Sequence, residues 1–325
     1  MIDIHVAGRQ YGAIVYAEAP LLNDPAASST SPYALTVPQR AAVVSEALKY
    51  GVTLFLASTP AAVQTLSESL TAANAPESAR VAIEVAHGLC DADDREDAGR
   101  SSVESDFAKA ELSPLASRID FLLLNDITED LLDSRRLSGA VAALKQLKAA
   151  GKIRAWGLTC YRDHDAAAEV VQHYAPDLVI ARCNAADLNA LRLLVPRCEE
   201  RGIPFIATQT IAWAKGVPFV RFSNTWRLRN MLMNFYGVSA VQAHTRWLLH
   251  GRGIGGVACT FNEQGQPQEV CASAGAGKLI APPPGMETAL SEFISAITRS
   301  DEGWTILLSD PYWVYRAAAS DLLGP

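Results

Sequence analysis

Short aliphatic runs alternate with Ala-rich stretches of helical period along most of this chain. The apolar, β-rich runs are "GAIVYA" (12–17), "TLFLA" (53–57), "RVAIEVA" (80–86), "IDFLLL" (119–124), "IRAWGL" (153–158), "LVIARC" (178–183), "PFIATQ" (204–209) and "GGVACTF" (255–261). Helical spacing marks 38–50, 60–72, 102–116, 134–150, 164–174, 187–202, 239–250 and 286–298. In 134–150, Leu137, Val141, Leu144 and Leu147 recur every three or four residues, and Gly151 stands at a C′ position. Strands apolar on both faces, each followed by a helix and eight in number, predict an α/β fold, a (β/α)8 TIM barrel. A doubly wound open sheet is the other arrangement this pattern allows.

Three segments depart from the repeat. Residues 21–36 are polar and Pro-containing, a loop. Residues 214–237 form a long insertion after the seventh strand. A tail at 300–325 carries Trp304, Tyr312, Trp313 and Tyr315. Residues 1–325 are therefore expected to form one barrel domain with an insertion and a tail.

Composition narrows the class. The 325 residues are 49 % hydrophobic and 19 % charged, enough to bury a large core. A net charge of -7 argues against nucleic acid or an anionic membrane as partner. The N-terminus lacks a basic segment followed by an apolar one, and no apolar run nears ~20 residues, so neither a signal peptide nor a membrane span is expected. The cysteines Cys90, Cys160, Cys183, Cys198, Cys259 and Cys271 are scattered without a CxxC pair, as in a reduced, cytoplasmic protein. A homo-oligomer or a partner subunit remains open.

Several stretches resemble the aldo-keto reductase family. "RIDFLLLNDITED" is similar to its fourth strand, "YIDLYLLHWPD". "AVAALKQLKAAGKIRAWGLTCY" resembles "ALEELVKEGKIRAIGVSNF", and "ALKYGVTLFLAS" resembles "A-x-x-x-G-I-N-F-F-D-T-A". "YAPDLVIARCNAADLNALRLLVPRCEERGIPFIATQTIAWAKG" is similar to the region from "YNLL" to "LLPLCRERGIGVIAYSPLARG". "VAGRQYGAIVYAEA" resembles the N-terminal β-hairpin that plugs the bottom of that barrel. The likeness covers most of 5–260.

The resemblance implies the barrel, but its catalytic tetrad is degenerate here. The family's aspartate falls on Leu56, its tyrosine on Ala61, its lysine on Ala86 (or His87 with a one-residue slip) and its histidine on Asn125. Leu and Ala cannot donate a proton, so no general acid stands at the family's position. The carboxamide-holding Ser-Asn pair falls on Thr159 and Cys160, the glutamine on Ile180, and the stacking tyrosine on Thr208. After the eighth strand, "FNEQGQPQEVCASAGAGKL" has no Arg and only Lys278, where a 2′-phosphate needs charge-assisted donors. The expectation is an NADP-independent protein, with NADPH as the alternative.

Three motifs mislead. "GRGIGG" (251–256) follows a helix and precedes a strand, the reverse of a dinucleotide-binding turn. "ASAGAGKL" (272–279) lacks the first glycine and the Ser/Thr of a phosphate loop. "HGLCDADDRED" (87–97) gathers His87, Cys90, Asp91, Asp93 and Asp94, but without a second His/Cys pair it reads as a solvated loop rather than a metal site.

Strand parity offers other chemistry. Counted from Ala86, Glu84 points into the barrel; Arg182 does likewise with Ile180 and Asn184. A buried carboxylate and a buried guanidinium each need a partner, so Glu84 and Arg182 are expected in one polar network, either as a catalytic group or as a structural pair. The candidate catalytic residues are His87, Glu84, Asn125 and Arg182. Asn184, Gln209, Asp126, Lys215 and Tyr161 are the candidates for binding substrate. Such a set suits a cofactor-independent, non-redox enzyme (lyase, isomerase or cyclase type) on a small polar metabolite. The alternatives are an NAD(P)H-dependent oxidoreductase with a relocated donor such as Tyr161 or Tyr236, and a non-catalytic subunit or binding protein.

Overall fold

The structure, a computed structural model, describes residues 3–18, 35–183, 188–208, 240–250, 253–261 and 263–274. An antiparallel hairpin comes first, β1 (Asp3–Val6) and β2 (Arg9–Gly12). The barrel follows: β3 (Ile14–Glu18), β4 (Leu54–Ala57), β5 (Arg80–Val85), β6 (Ile119–Leu124), β7 (Ala155–Cys160), β8 (Leu178–Arg182), β9 (Phe205–Thr208) and β10 (Gly256–Cys259). These eight strands are parallel neighbours in chain order, and β10 pairs back to β3 to close the cylinder. The helices are α1 (Val37–Lys49), α2 (Pro60–Ala72), α3 (Glu96–Glu111), α4 (Arg135–Ala149), α5 (His164–Tyr174), α6 (Val195–Arg201), α7 (Ala240–Leu249) and α8 (Gln266–Ala274). The expected (β/α)8 barrel with an N-terminal hairpin is the observed fold.

Two cores explain why the strands read as apolar on both faces. One lies between strands and helices and includes Tyr16, Phe55, Leu122, Leu124 and Leu158. The other fills the cylinder with Val15, Leu54, Leu56, Ala82, Phe121, Leu123, Leu178, Ile180 and Ile206. The hairpin's Ile4, Val6 and Tyr11 belong to this inner core, so the hairpin is the floor of the barrel.

A bulge secures that floor. Ile119 pairs with Val81, but Phe121 pairs with Ala82, so Asp120 is skipped in the ladder. Its buried carboxylate accepts the Tyr11 hydroxyl at 2.6 Å and an Arg9 nitrogen at 3.2 Å. The Nε atoms of Arg154 and Arg80 lie 3.7 and 4.0 Å from the same oxygen. One carboxylate thus ties the plug to β5, β6 and the entry to β7.

The helix periodicity places the third helix at 102–116, whereas α3 begins at Glu96. Its first turns have no apolar stripe because they pack through backbone. A Cβ at Gly99 would lie 1.8 Å from the Arg136 carbonyl oxygen, and one at Gly139 1.9 Å from that of Glu96. Glycine at both positions lets α3 and α4 approach so closely. The pattern also assigns no helix to 266–274, where α8 forms. The insertion at 214–237, the helix expected at 286–298 and the tail lie outside the described residues.

Candidate active site

The C-terminal ends of the barrel strands bring polar groups together above the apolar inner core. On β5, Ala82 faces the interior, and Glu84, two residues on, does the same and is buried. Its carboxylate accepts a hydrogen bond from the Tyr161 hydroxyl. Tyr161 follows β7, so its half-buried side chain reaches over β6 to β5. Burial above all pushes Glu84 up to about 8; the hydrogen bond from Tyr161 opposes it, and the charge of Asp126 adds to it. A carboxyl of that affinity holds its proton at neutral pH.

Asp126 leaves β6 with a φ of 37°. One carboxylate oxygen accepts the Tyr161 backbone N–H at 2.9 Å, and the other accepts Arg162 Nε at 2.7 Å. Its own N–H donates to Thr159 Oγ1 at 3.2 Å, and that hydroxyl donates to the Leu124 carbonyl at 3.4 Å. Both carboxylate oxygens are therefore engaged by the protein. Asn125 stands beside it, half-buried; its backbone N–H donates to the Val85 carbonyl at 3.1 Å. No hydrogen bond to the Asn125 carboxamide occurs among the described residues.

The other expected residues are placed differently. Arg182 ends β8, and its carbonyl lies 2.8 Å from His164 Nε2. Glu84 and Arg182 form no ion pair; the hydrogen-bond partner of Glu84 is Tyr161, just past the end of β7, rather than the guanidinium. At Ala86 the chain turns with a φ of 62°, and this residue packs in the outer core instead of pointing inward with Glu84. The turn carries His87 to the exposed rim, where Nε2 lies 2.7 Å from the Ser58 carbonyl. A carbonyl only accepts, so Nε2 carries the proton in that contact, and partial desolvation of the ring holds His87 below the usual histidine range. His87 and Glu84 share no hydrogen bond. Asn184, Gln209, Lys215 and Tyr236 lie outside the described residues.

The stretch "TCYRDH" (159–164) contributes more than the Tyr161 expected from sequence. Asp163 caps α5 through Ala166 N–H at 3.0 Å and also accepts Glu129 N–H at 3.0 Å. His164, buried at the start of α5, anchors the end of β8. Arg162, His164 and Asn189 line a cleft of about 390 Å³ beside the mouth. A run of polar residues directly after a buried strand was the available signal. In the acidic loop after β5, Asp94 accepts Arg135 N–H at 2.8 Å, and Cys90 lies 3.6 Å from Thr128 Oγ1. Among the described residues, no three His, Cys, Asp or Glu side chains converge to hold a metal ion.

The aldo/keto reductase family model matches residues 33–274, about three quarters of the chain. The chain belongs to the aldo/keto reductase family. Its barrel superposes on that of a Klebsiella pneumoniae aldo/keto reductase solved with NADP and acetate, with a TM-score of 0.65 at 14 % identity, covering 90 % of this chain and 95 % of that one. A Klebsiella pneumoniae aldo-keto reductase with NADPH gives 0.66 at 15 % identity, covering 90 % and 96 %. A Brucella melitensis aldo/keto reductase gives 0.59 at 13 % identity, covering 90 % and 99 %. No curated protein matches the sequence. At these identities the likeness carries the fold.

In this member of the aldo/keto reductase family, the described residues at the positions that the resemblance assigns to catalysis and cofactor binding are engaged otherwise. Leu56 packs in the inner core. Ala61 lies in the first turn of α2. The Thr159 hydroxyl is taken up between Leu124 and Asp126. Cys160 is buried, with its thiol pushed up by desolvation, and Ile180 fills the barrel. After β10 the described residues contain no Lys or Arg; Glu263 and Glu269 stand there instead, and Glu46 accepts the Gly265 N–H at 2.8 Å. Carboxylates repel a 2′-phosphate. The described residues do not fit NADP bound in the family's manner. Among the described residues, no helix is long and apolar enough to cross a membrane.

Proposed function

We propose that this barrel is a cofactor-independent enzyme that moves a proton on a small polar substrate, of lyase or isomerase type. The observation that carries the reading is the hydrogen bond between buried Glu84 and Tyr161 at the strand ends. A carboxyl near neutrality can both give and take a proton at physiological pH. Tyr161 connects it to the mouth. The Asn125 carboxamide, in the slot of the family's substrate-orienting histidine, hydrogen-bonds a substrate oxygen but does not titrate. In this chemistry the ionised fraction of Glu84 takes a proton from one substrate atom, the resulting carboxyl gives it back to another, and nothing is oxidised.

The test is proton exchange in D₂O with a panel of small hydroxy and keto acids, followed by NMR. Wild-type protein is expected to place deuterium at an acidic C–H. Glu84→Gln and Tyr161→Phe are expected to slow this by about 10²-fold or more. Undiminished exchange in both variants would remove the assignment.

A second reading is an oxidoreductase with Tyr161 as relocated donor. It is favoured by the structural neighbours from Klebsiella pneumoniae, whose structures hold NADP or NADPH. Fluorescence titration with NADPH and NADH distinguishes the two. Saturable quenching with carbonyl-dependent NADPH oxidation favours the reductase; no response to millimolar cofactor favours the proton-transfer enzyme.

A further inference from the structure

The left-handed backbone at Asp126 is one that Asp and Asn tolerate better than most side chains. It turns the carboxylate sideways, from the end of β6 toward the chain leaving β7. One oxygen fixes the backbone N–H of Tyr161, and the other holds Arg162 Nε. The first contact sets where Tyr161 departs from β7. From there its side chain crosses β6 and its hydroxyl meets Glu84 on β5. Thr159 closes the arrangement from below by accepting the Asp126 N–H. Three contacts thus meet at one residue that itself does not touch Glu84 by a hydrogen bond.

We infer that Asp126 is the positioning residue of the Glu84–Tyr161 pair: one carboxylate oxygen fixes the backbone from which Tyr161 crosses the mouth, and Arg162 holds the other. As a negative charge near the pair, Asp126 also favours the protonated form of Glu84. The inference rests on the reading of Glu84 and Tyr161 as the proton-holding pair. It takes Asp126 out of the substrate-binding set. The other charged or titratable groups at the neighbouring strand ends have separate places. His87 after β5 leans on the Ser58 carbonyl. Asp163 caps α5. Cys160 is buried in the outer core. Arg182 ends β8 and contributes nothing resolved to Glu84, whereas Asp126 is the one charged group among the causes that shift it.

The experiment reads the Glu84 carboxyl directly by ¹³C NMR of side-chain-labelled glutamate, with the resonance assigned by its loss in Glu84→Gln. Asp126→Asn keeps an oxygen for the Tyr161 N–H and suits the backbone, but removes the charge. It is expected to lower the Glu84 titration by about one pH unit. Arg162→Gln leaves Asp126 uncompensated and is expected to raise it, and Arg162→Lys to restore it. Opposite signs are the signature, because general loosening of the loop moves both variants the same way. Unmoved or same-direction titrations overturn the inference. A wild-type Glu84 titrating near 4.5 overturns the underlying reading instead. Should Asp126→Asn fail to fold, Arg162→Gln alone tests the sign.

Discussion

Replacing Glu84 by Gln is expected to stabilise the protein, and increasingly so as the pH rises. The perturbation keeps the shape of the side chain and an oxygen for the Tyr161 hydroxyl. It removes only the ionisation. Glu84 has an ordinary value of 4.5 and is pushed up to about 8 in the folded chain, chiefly by burial. Between those values the unfolded chain is ionised and the native one is protonated, so unfolding releases a proton. The stability tied to this carboxyl is fully present below the unfolded value and is lost as pH rises toward the folded one. Each pH unit is worth about 1.4 kcal/mol, which puts the native state about 3 kcal/mol lower in stability at pH 7 than at pH 4.5. The Gln variant escapes this loss. Urea unfolding of both proteins at pH 5, 6, 7, 8 and 9 measures it. The stability difference is expected to grow by roughly 1.4 kcal/mol per unit up to pH 8 and then to level off. A difference that stays constant with pH would refute the claim that a raised Glu84 is at work. A variant that gains stability while losing turnover is the mark of a side chain retained for chemistry.

Other substitutions probe neighbouring parts of the argument. Tyr161→Phe removes the hydrogen bond that holds the Glu84 titration down, so that titration should move higher still by ¹³C NMR. Gly139→Ala sets a methyl 1.9 Å from the Glu96 carbonyl oxygen and forces α3 and α4 apart. It should cost about 1–3 kcal/mol in denaturant unfolding. Asp120→Asn leaves Arg9, Arg80 and Arg154 without their counter-charge at the barrel floor. It should cost about 2 kcal/mol and speed hydrogen exchange in the β1–β2 hairpin.

The barrel is legible in the sequence because its signals are local. A strand buried on both faces is an unbroken apolar run, and its helix is an apolar stripe of period 3.6. Six apolar or buried positions from Ile119 to Leu124 are β6 residue for residue. The side chains at Leu56, Ala61 and Ala86, where the resemblance places three of the family's catalytic groups, are likewise read from the sequence alone. Strand parity correctly turned Glu84 inward. Its starting point was wrong, because Ala86, counted as inward, packs in the outer core where the backbone turns and sends His87 to the rim. α3 begins earlier than its apolar spacing implies because Gly99 packs by having no side chain.

What the chain could not declare along its length is who meets whom across the mouth. Glu84 and Tyr161 are 77 positions apart, and their hydroxyl–carboxylate bond exists only once β5, β6 and β7 lie side by side. The same holds for Asp126, whose partners just after β7 are 35 and 36 positions away. Propensity and periodicity report the preferences of a residue and its near neighbours, so they determine the elements of this protein. A carboxyl's proton affinity depends on the solvent it has lost and on the charges packed around it. Closure of the barrel sets both, and only the tertiary structure buries Glu84 beside the Tyr161 hydroxyl at the end of these strands.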